Sequence, residues 1–370
     1  MSRAPGETVH DTGTVGPVPR PAPPGGRAAA ILLTGIFLLV VLAAGLPFVG
    51  LPYVVLSPGP ATNVLGDVDG KPVLSVSGAT TYPTQGALDF TTVAFDGGPG
   101  RTVTVYDLLE AWVRDDVDVA PESDYFPDDA TADQVEAENA EMMTESQTVA
   151  AATALRALGK TVPTHVTIAD VPAGSPSTGI VEKGDVLVSV DGVAATDADA
   201  VRQAIRTHRP GDEVPLVVER SGTRKTVTVR TGDADGTAYI GVLLRTDYDL
   251  PVTVTLNTGR VGGPSAGLMF TLAIYDALTP GSLTGGQRIA GTGTIEDGGT
   301  VGPISGIRQK MVGAHRAGAR WFLSPAQDCA DAVGHVPEGM TLLKVTTFDD
   351  ARTAVQGIAK GDTAGLPRCG

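Results

Sequence analysis

The chain has 370 residues, with 42 acidic and 27 basic side chains and a formal net charge of −15. That length accommodates two or three domains of ordinary size. The acidic balance, with no Lys/Arg cluster, excludes the basic footprint that nucleic-acid binding requires, so no nucleic-acid partner is expected.

Residues 1–27 contain six prolines, five glycines and few large apolar side chains. Such a stretch buries too little surface to offset chain entropy and is expected to be a disordered cytoplasmic tail. An uncharged stretch follows from Ala28 to Gly66, and its most apolar part runs over 22 residues from Ala28 to Val49. In helical form that part measures about 33 Å, enough for a hydrocarbon core of about 30 Å. A transmembrane helix is therefore expected over residues 28–50. Arg20 and Arg27 precede it and the next lysine is Lys71, which puts the N-terminus in the cytoplasm and the rest outside a single-pass cell-membrane anchor. The alternative is a cleaved signal peptide ending near Ala43-Ala44-Gly45, but the apolar run is long for that role.

From Pro52 to Val105 the sequence is rich in Val, Thr, Gly and Pro, with strands expected at Val73–Val76 and Ala87–Phe95. Asp107 to Trp112 reads as a short helical turn. Residues 115–145 carry twelve carboxylates and no Lys or Arg. They are expected to form a solvated acidic face or loop, since the EF-hand calcium pattern is absent. Met142, Val149, Ala152 and Leu155 then fall near helical spacing, with Gly159 as the stop.

From Pro163 to Arg230 the order is strand at His165–Ile168, a Gly174-Ser175-Pro176 loop, and the run Gly184-Asp185-Val186-Leu187-Val188-Ser189-Val190-Asp191-Gly192. Thr196, with Asp199 three residues on, is placed to cap a helix carrying Val201 and Ile205 on one face. Strands at Val214–Glu219 and Lys225–Val229 follow. This order resembles a bacterial PDZ domain over residues 163–232. The resemblance implies capture of an extended peptide as an added strand, in a groove at His165, Val166, Val201 and Ile205. The Gly-(apolar)-Gly loop that holds a peptide carboxylate in that family is expected near Thr161–His165 and is missing there. The domain is equally readable as a shield or positioning element for its neighbour.

A serine in the tight turn Gly262-Gly263-Pro264-Ser265-Ala266-Gly267 precedes a helix-like run from Leu268 to Leu278, and Lys310 follows within Gly306-Ile307-Arg308-Gln309-Lys310. The two residue types supply a nucleophile and a base for acyl transfer. Taken alone, Ser265 could be a helix cap and Lys310 a surface charge. The blocks Ile289-Ala290-Gly291-Thr292-Gly293-Thr294-Ile295 and Gly302-Pro303-Ile304-Ser305-Gly306-Ile307, with Ala317-Gly318-Ala319, complete a pattern that resembles the proteolytic domain of Lon proteases over residues 237–360. Gly86 to Thr92 and Met143 to Ser146 resemble the first half of the same domain, so residues 51–160 are a possible first half of the protease fold. The whole arrangement resembles the membrane-anchored, PDZ-containing Lon-like serine proteases of Gram-positive bacteria, including actinobacteria, the YlbL type.

The expected fold class is α+β: a Lon-type proteolytic domain, a PDZ domain built as a small barrel-like sandwich with helices, and one N-terminal transmembrane helix. A free lysine is protonated at neutral pH, so Lys310 needs burial to become a usable base. Apolar Ile304, Ile307 and Met311 are the expected sources of that burial. Backbone N–H groups near Gly263 and Ser265 are expected to form the oxyanion hole, and the resemblance implies that Thr292 supports Lys310. Thr294 stands where Lon proteases commonly carry a glutamate. His315 and His335 are expected at the surface. A Ser-His-Asp arrangement is rejected because only His10, His165 and His208 precede Ser265.

No Gly-x-x-x-x-Gly-Lys-Ser/Thr run occurs, so neither nucleotide nor cofactor is expected and hydrolysis is read as independent of ATP. No Cys-x-x-Cys or His-x-x-x-His cluster occurs either, and no metal is expected. Cys329 and Cys369 are the only cysteines. An oxidising exterior permits a disulfide between them, against the alternative of two free thiols. Protein or peptide substrates are the expected partners, and the resemblance allows a homo-oligomer. The competing reading is a non-catalytic PDZ scaffold with an inactive Lon-like body.

Overall fold

The computed structural model describes residues 26–46, 49–259 and 261–370, without the side chains of residues 27 and 28. The expected N-terminal tail, with its Arg20, lies outside the described residues up to residue 25. The helices are α1 (Gly26–Gly45), α2 (Val105–Trp112), α3 (Ala132–Ala157), α4 (Ala198–Arg206), α5 (Gly267–Ala277), α6 (Ile307–Arg316), α7 (Cys329–Ala332) and α8 (Phe348–Lys360).

All the large apolar side chains of α1, from Ile31 to Leu42, are more than half exposed. The helix ends at Gly45, before the expected boundary at residue 50. From residue 29, where its side chains are first described, it rises about 25 Å. Among the described residues no helix is long and apolar enough to cross a membrane.

A six-stranded sheet forms the main body, in the order Thr341–Val345, Trp321–Pro325, Arg288–Gly291, Ala87–Asp96, Tyr53–Asn63, Asp118–Pro121. The first four strands are parallel to one another, and the last two pair antiparallel. Strands from both sides of the intervening residues 164–248 thus share one sheet and one core. That core closes around α5, whose Leu268, Met269, Phe270, Leu272, Ala273 and Ile274 are all fully buried. With these side chains covering its circumference, α5 is the central helix of the body. Phe270 meets Phe90 of the sheet edge-on, with ring centroids 5.5 Å apart.

α3 packs on α5 and begins at residue 132 within the acidic segment, so that of the two expected forms, face or loop, its C-terminal part is the solvated face of a helix. A capping box between Thr131 and Gln134 starts it, satisfying two of the unpaired amides of the first turn. Met143, Ser146 and Val149 to Leu155 face the core, while Asp133, Glu136, Glu138, Glu141 and Glu145 stay in water.

A second, antiparallel sheet runs in the order Thr223–Arg230, Glu213–Arg220, Val186–Val190, Thr164–Asp170, Leu243–Tyr248, with Val193–Ala194 added beside Val186–Val190. α4 closes over it, burying Val201 and Ile205 with Val166, Leu187 and Leu216. Its N-cap is Asp197, which accepts from the Ala200 N–H at 2.7 Å, one residue after the expected Thr196. The expected boundary between residues 232 and 237 also moves. Leu243–Tyr248 pairs with Thr164–Asp170, and Ile240 belongs to this second core. The extra strand completes a sheet whose other five strands all precede residue 231.

Cys329 and Cys369 are joined in a disulfide, and Leu343 and Arg368 form a β-bridge. The C-terminal segment is thereby fastened to the edge of the main sheet.

Candidate active site

Ser265 lies in the turn that leads into α5. Two elements hold that turn through three hydrogen bonds. From α3, the Ser146 hydroxyl donates to the Pro264 carbonyl at 3.0 Å, and the Asn139 carbonyl accepts from the Gly263 N–H at 2.9 Å. From the loop after Arg288–Gly291, the Gly293 N–H donates to the Ser265 carbonyl at 2.9 Å. Gly267 must be glycine, since a Cβ there would sit 2.9 Å from Ser146 Oγ and 3.0 Å from the Ile295 backbone nitrogen.

Lys310 comes from α6, which lies against the strand Tyr53–Asn63. Gly313 permits that approach: a Cβ there would meet the Gly59 carbonyl at 2.4 Å. Arg308 and Gln309 further tie the helix to Asp118, at 3.3 and 2.8 Å. Lys310 is 3 % exposed. Its Nζ lies 2.8 Å from Ser265 Oγ and 3.0 Å from Thr292 Oγ1. Thr292 is fully buried, and its hydroxyl donates to the Ser265 carbonyl at 3.0 Å.

Burial pulls the Lys310 ammonium down to a pKa of about 7, and the nearby Asp328 carboxylate pushes partly against that fall. Burial raises the Asp328 carboxyl, opposed by the Ile304 N–H it accepts and by Lys310. An amine that titrates near neutrality within hydrogen-bond reach of a hydroxyl can take that hydroxyl's proton.

The expected oxyanion donors need one correction. The Gly263 N–H already donates to Asn139 and is not available to a substrate. The amides of Ser265 and Ala266 make no hydrogen bond among the described residues, and both stand at the start of α5, where the helix dipole favours negative charge. Ser265, Lys310, Thr294 and Ile304 border a cleft of about 640 Å³, whose apolar walls include Phe90, Val93, Met143, Val261 and Pro303. Thr294 is in this cleft without a carboxylate. His315 and His335 are exposed. His165 and His208 sit beside Asp247 and Asp191, at 3.9 and 3.5 Å, in the second sheet's unit.

The expected peptide groove is also corrected. His165 and Val166 are on the strand Thr164–Asp170, which has neighbours on both sides and cannot accept another strand. Val166 and Val201 are core residues. The strand that ends the sheet is Leu243–Tyr248. A groove of about 350 Å³ runs there, lined by Arg202, Ile205, Arg206 and Tyr239 to Leu244. Of the four expected groove residues only Ile205 borders it. The turn Tyr239-Ile240-Gly241-Val242 stands at the head of this groove.

Asp328, Asn139 and Ser146 were not expected in this site. Asp328 sits in a one-turn helix with no motif around it. Asn139 and Ser146 reach the serine turn across 124 and 118 residues of chain.

Comparison with known proteins finds both kinds of domain, although the second match begins inside α3 and ends before the strand Leu243–Tyr248. Residues 247–356 match the family model of the Lon protease (S16) C-terminal proteolytic domain, and residues 135–231 match that of the PDZ domain. Lon protease 1 of Bacillus subtilis is 33 % identical over 106 residues, covering 28 % of this chain and 13 % of the relative. Lon protease 1 of Herpetosiphon aurantiacus is 39 % identical over 99 residues, covering 26 % of this chain and 12 % of the relative. The chain therefore matches about an eighth of the length of these relatives. Among solved structures, the PDZ domain of an SdrC-like protein from Listeria monocytogenes is 22 % identical, covering 21 % of this chain and 85 % of that one, with a TM-score of 0.21.

Proposed function

We propose that this chain, which carries a Lon-type proteolytic domain and a PDZ domain, is an ATP-independent serine endopeptidase working through Ser265 and Lys310. The observation that carries this reading is the 2.8 Å contact between Ser265 Oγ and a buried Lys310 Nζ. Neutral Lys310 takes the proton of Ser265 as its oxygen attacks the scissile carbonyl carbon. The amides of Ser265 and Ala266 receive the negative charge that develops on the carbonyl oxygen. Collapse of the tetrahedral adduct breaks the C–N bond, and Lys310 returns the proton to the departing amine. Water, deprotonated by the same lysine, then hydrolyses the acyl-serine.

The substrate enters as an extended strand. Ala87–Asp96 pairs with Arg288–Gly291 only through residues 87–90, so Thr91 to Phe95 offer an unpaired edge along the cleft. Added-strand binding suits flexible or already unfolded segments. The sequence contains no phosphate-binding loop, in keeping with hydrolysis that uses no ATP.

The same reading makes the protein membrane-anchored with its body outside the cell. The support is the apolar circumference of α1, whose large side chains from Ile31 to Leu42 are more than half exposed, and the arginines at 20 and 27 on its N-terminal side. The PDZ domain recruits protein substrates by adding a peptide along Leu243–Tyr248, beside α4.

The test is hydrolysis of an unstructured protein by the full chain in detergent, with and without ATP. Cleavage should be unaffected by ATP and lost in both Ser265→Ala and Lys310→Met. Equal cleavage by wild type and Ser265→Ala would overturn the reading.

A further inference from the structure

α2 carries its large apolar residues on the outside. Tyr106, Leu109, Trp112 and Val113 are 45, 52, 83 and 72 % exposed, and only Ala111 is buried. Spacings of three and four residues place the four on one stripe. Trp112 is the most exposed large apolar side chain among the described residues.

The stripe adjoins the end of α1. The Tyr106 hydroxyl donates to the Ala43 carbonyl at 2.9 Å, two residues before the end of α1 at Gly45. Just beyond that end, the Leu51 N–H donates to the Val103 carbonyl at 2.8 Å. α2 is thus fastened to the point where the apolar helix meets the body. Ala43 lies about 3 Å from the end of α1, the level at which hydrocarbon gives way to headgroups if α1 spans a bilayer.

We propose that α2 is an interfacial helix, with Tyr106, Leu109, Trp112 and Val113 seated in the headgroup region of the bilayer that holds α1. This rests on the anchoring reading given above and adds a second membrane contact to it. Tryptophan and tyrosine favour that region because each has an apolar ring and a polar atom. An amphipathic helix lies in the plane of the interface with its apolar face down. Electrostatic attraction contributes nothing here. Asp107 and Glu110 are acidic, and Arg114 is already paired with Asp116 and Glu110, at 3.1 and 3.7 Å. The docking is therefore apolar and indifferent to anionic lipid.

The experiment compares the full chain with Trp112→Phe, each reconstituted into phosphatidylcholine vesicles containing lipids brominated just below the headgroup or deep in the acyl chain. The chain has two tryptophans, so the difference between the proteins isolates Trp112. The expected result is a loss of Trp112 emission that is larger with the shallow bromines. It should be unchanged by a phosphatidylglycerol fraction or by high salt. If the protein floats with the vesicles but Trp112 is not quenched, the docking is wrong while the anchor stands. Unquenched Trp112, together with Leu109→Cys cross-linking between copies, would assign the face to a second copy and overturn the proposal. A protein that does not float with vesicles would overturn both the anchor and the docking.

Discussion

Lys310 and Thr292 are joined by a 3.0 Å hydrogen bond, and the same threonine hydroxyl donates to the Ser265 carbonyl at 3.0 Å. One side chain thus fixes both the amine and the backbone of the serine it faces. Thr292→Val keeps the shape and removes both bonds. Hydrogen bonds involving charged groups are worth about 1.5–3 kcal/mol, so kcat/KM should fall roughly ten- to a hundredfold. Steady-state kinetics on an unstructured substrate, with a melting curve to verify folding, would measure this. Unchanged kinetics would mean that Thr292 only packs.

The buried lysine makes stability depend on pH in a definite direction. Its folded pKa of about 7 lies below its ordinary value of 10.5. Between those values the unfolded chain holds a proton that the folded chain has released, so stability rises with pH across the window. Below pH 7 the folded state carries the full desolvation penalty, on the order of a few kcal/mol. Lys310→Met removes it. The variant should be inactive yet melt above the wild type at pH 6, with the difference closing as pH approaches 10. Coincident melting at pH 6 would contradict the assigned burial.

The disulfide between Cys329 and Cys369 closes a loop with a sequence separation of 40. A cross-link of that span restricts the unfolded chain by about 4 kcal/mol in the chain-entropy model. The double variant Cys329→Ser with Cys369→Ser should lower Tm by roughly 10 °C. Wild type treated with reductant should melt with it. An unchanged Tm under reduction would show that the C-terminal segment is held by packing alone.

The PDZ groove can be tested at Leu243, which is 56 % exposed at the sheet-terminating strand. Leu243→Glu should fold normally, since it buries no charge. Hydrolysis of a short unstructured peptide should be unaffected, while KM for a full-length protein substrate should rise severalfold. A parallel loss on both substrates would indicate that the groove acts on the active site instead of on recruitment.

Much of the candidate site was legible because its parts are short and local. The serine turn, the Thr292 loop and the start of α6 each occupy only a few consecutive residues. What could not be read are contacts that only the folded chain assembles. Asp328 has no sequence context that distinguishes it from a surface aspartate. Asn139 and Ser146 lie in or beside a run of carboxylates whose composition suggested water, although the capping box at Thr131 was available as a helix signal. The PDZ groove was misplaced for a topological reason. The strand that ends its sheet follows residue 240, after all the others, whereas the domain's first strand, where the sequence pattern puts the groove, lies inside the sheet.

The most direct measurement of the central claim is the pH dependence of Ser265 modification by a serine-directed phosphonate, read as the mass gain of the peptide containing Ser265. The account predicts labelling of Ser265 with a rate that rises through an inflection near pH 7, the value set by buried Lys310. Lys310→Met should label at least a hundredfold more slowly, the loss expected on removing a general base. Labelling of Ser265 at the same rate in wild type and Lys310→Met, with no inflection between pH 5 and 9, would contradict it.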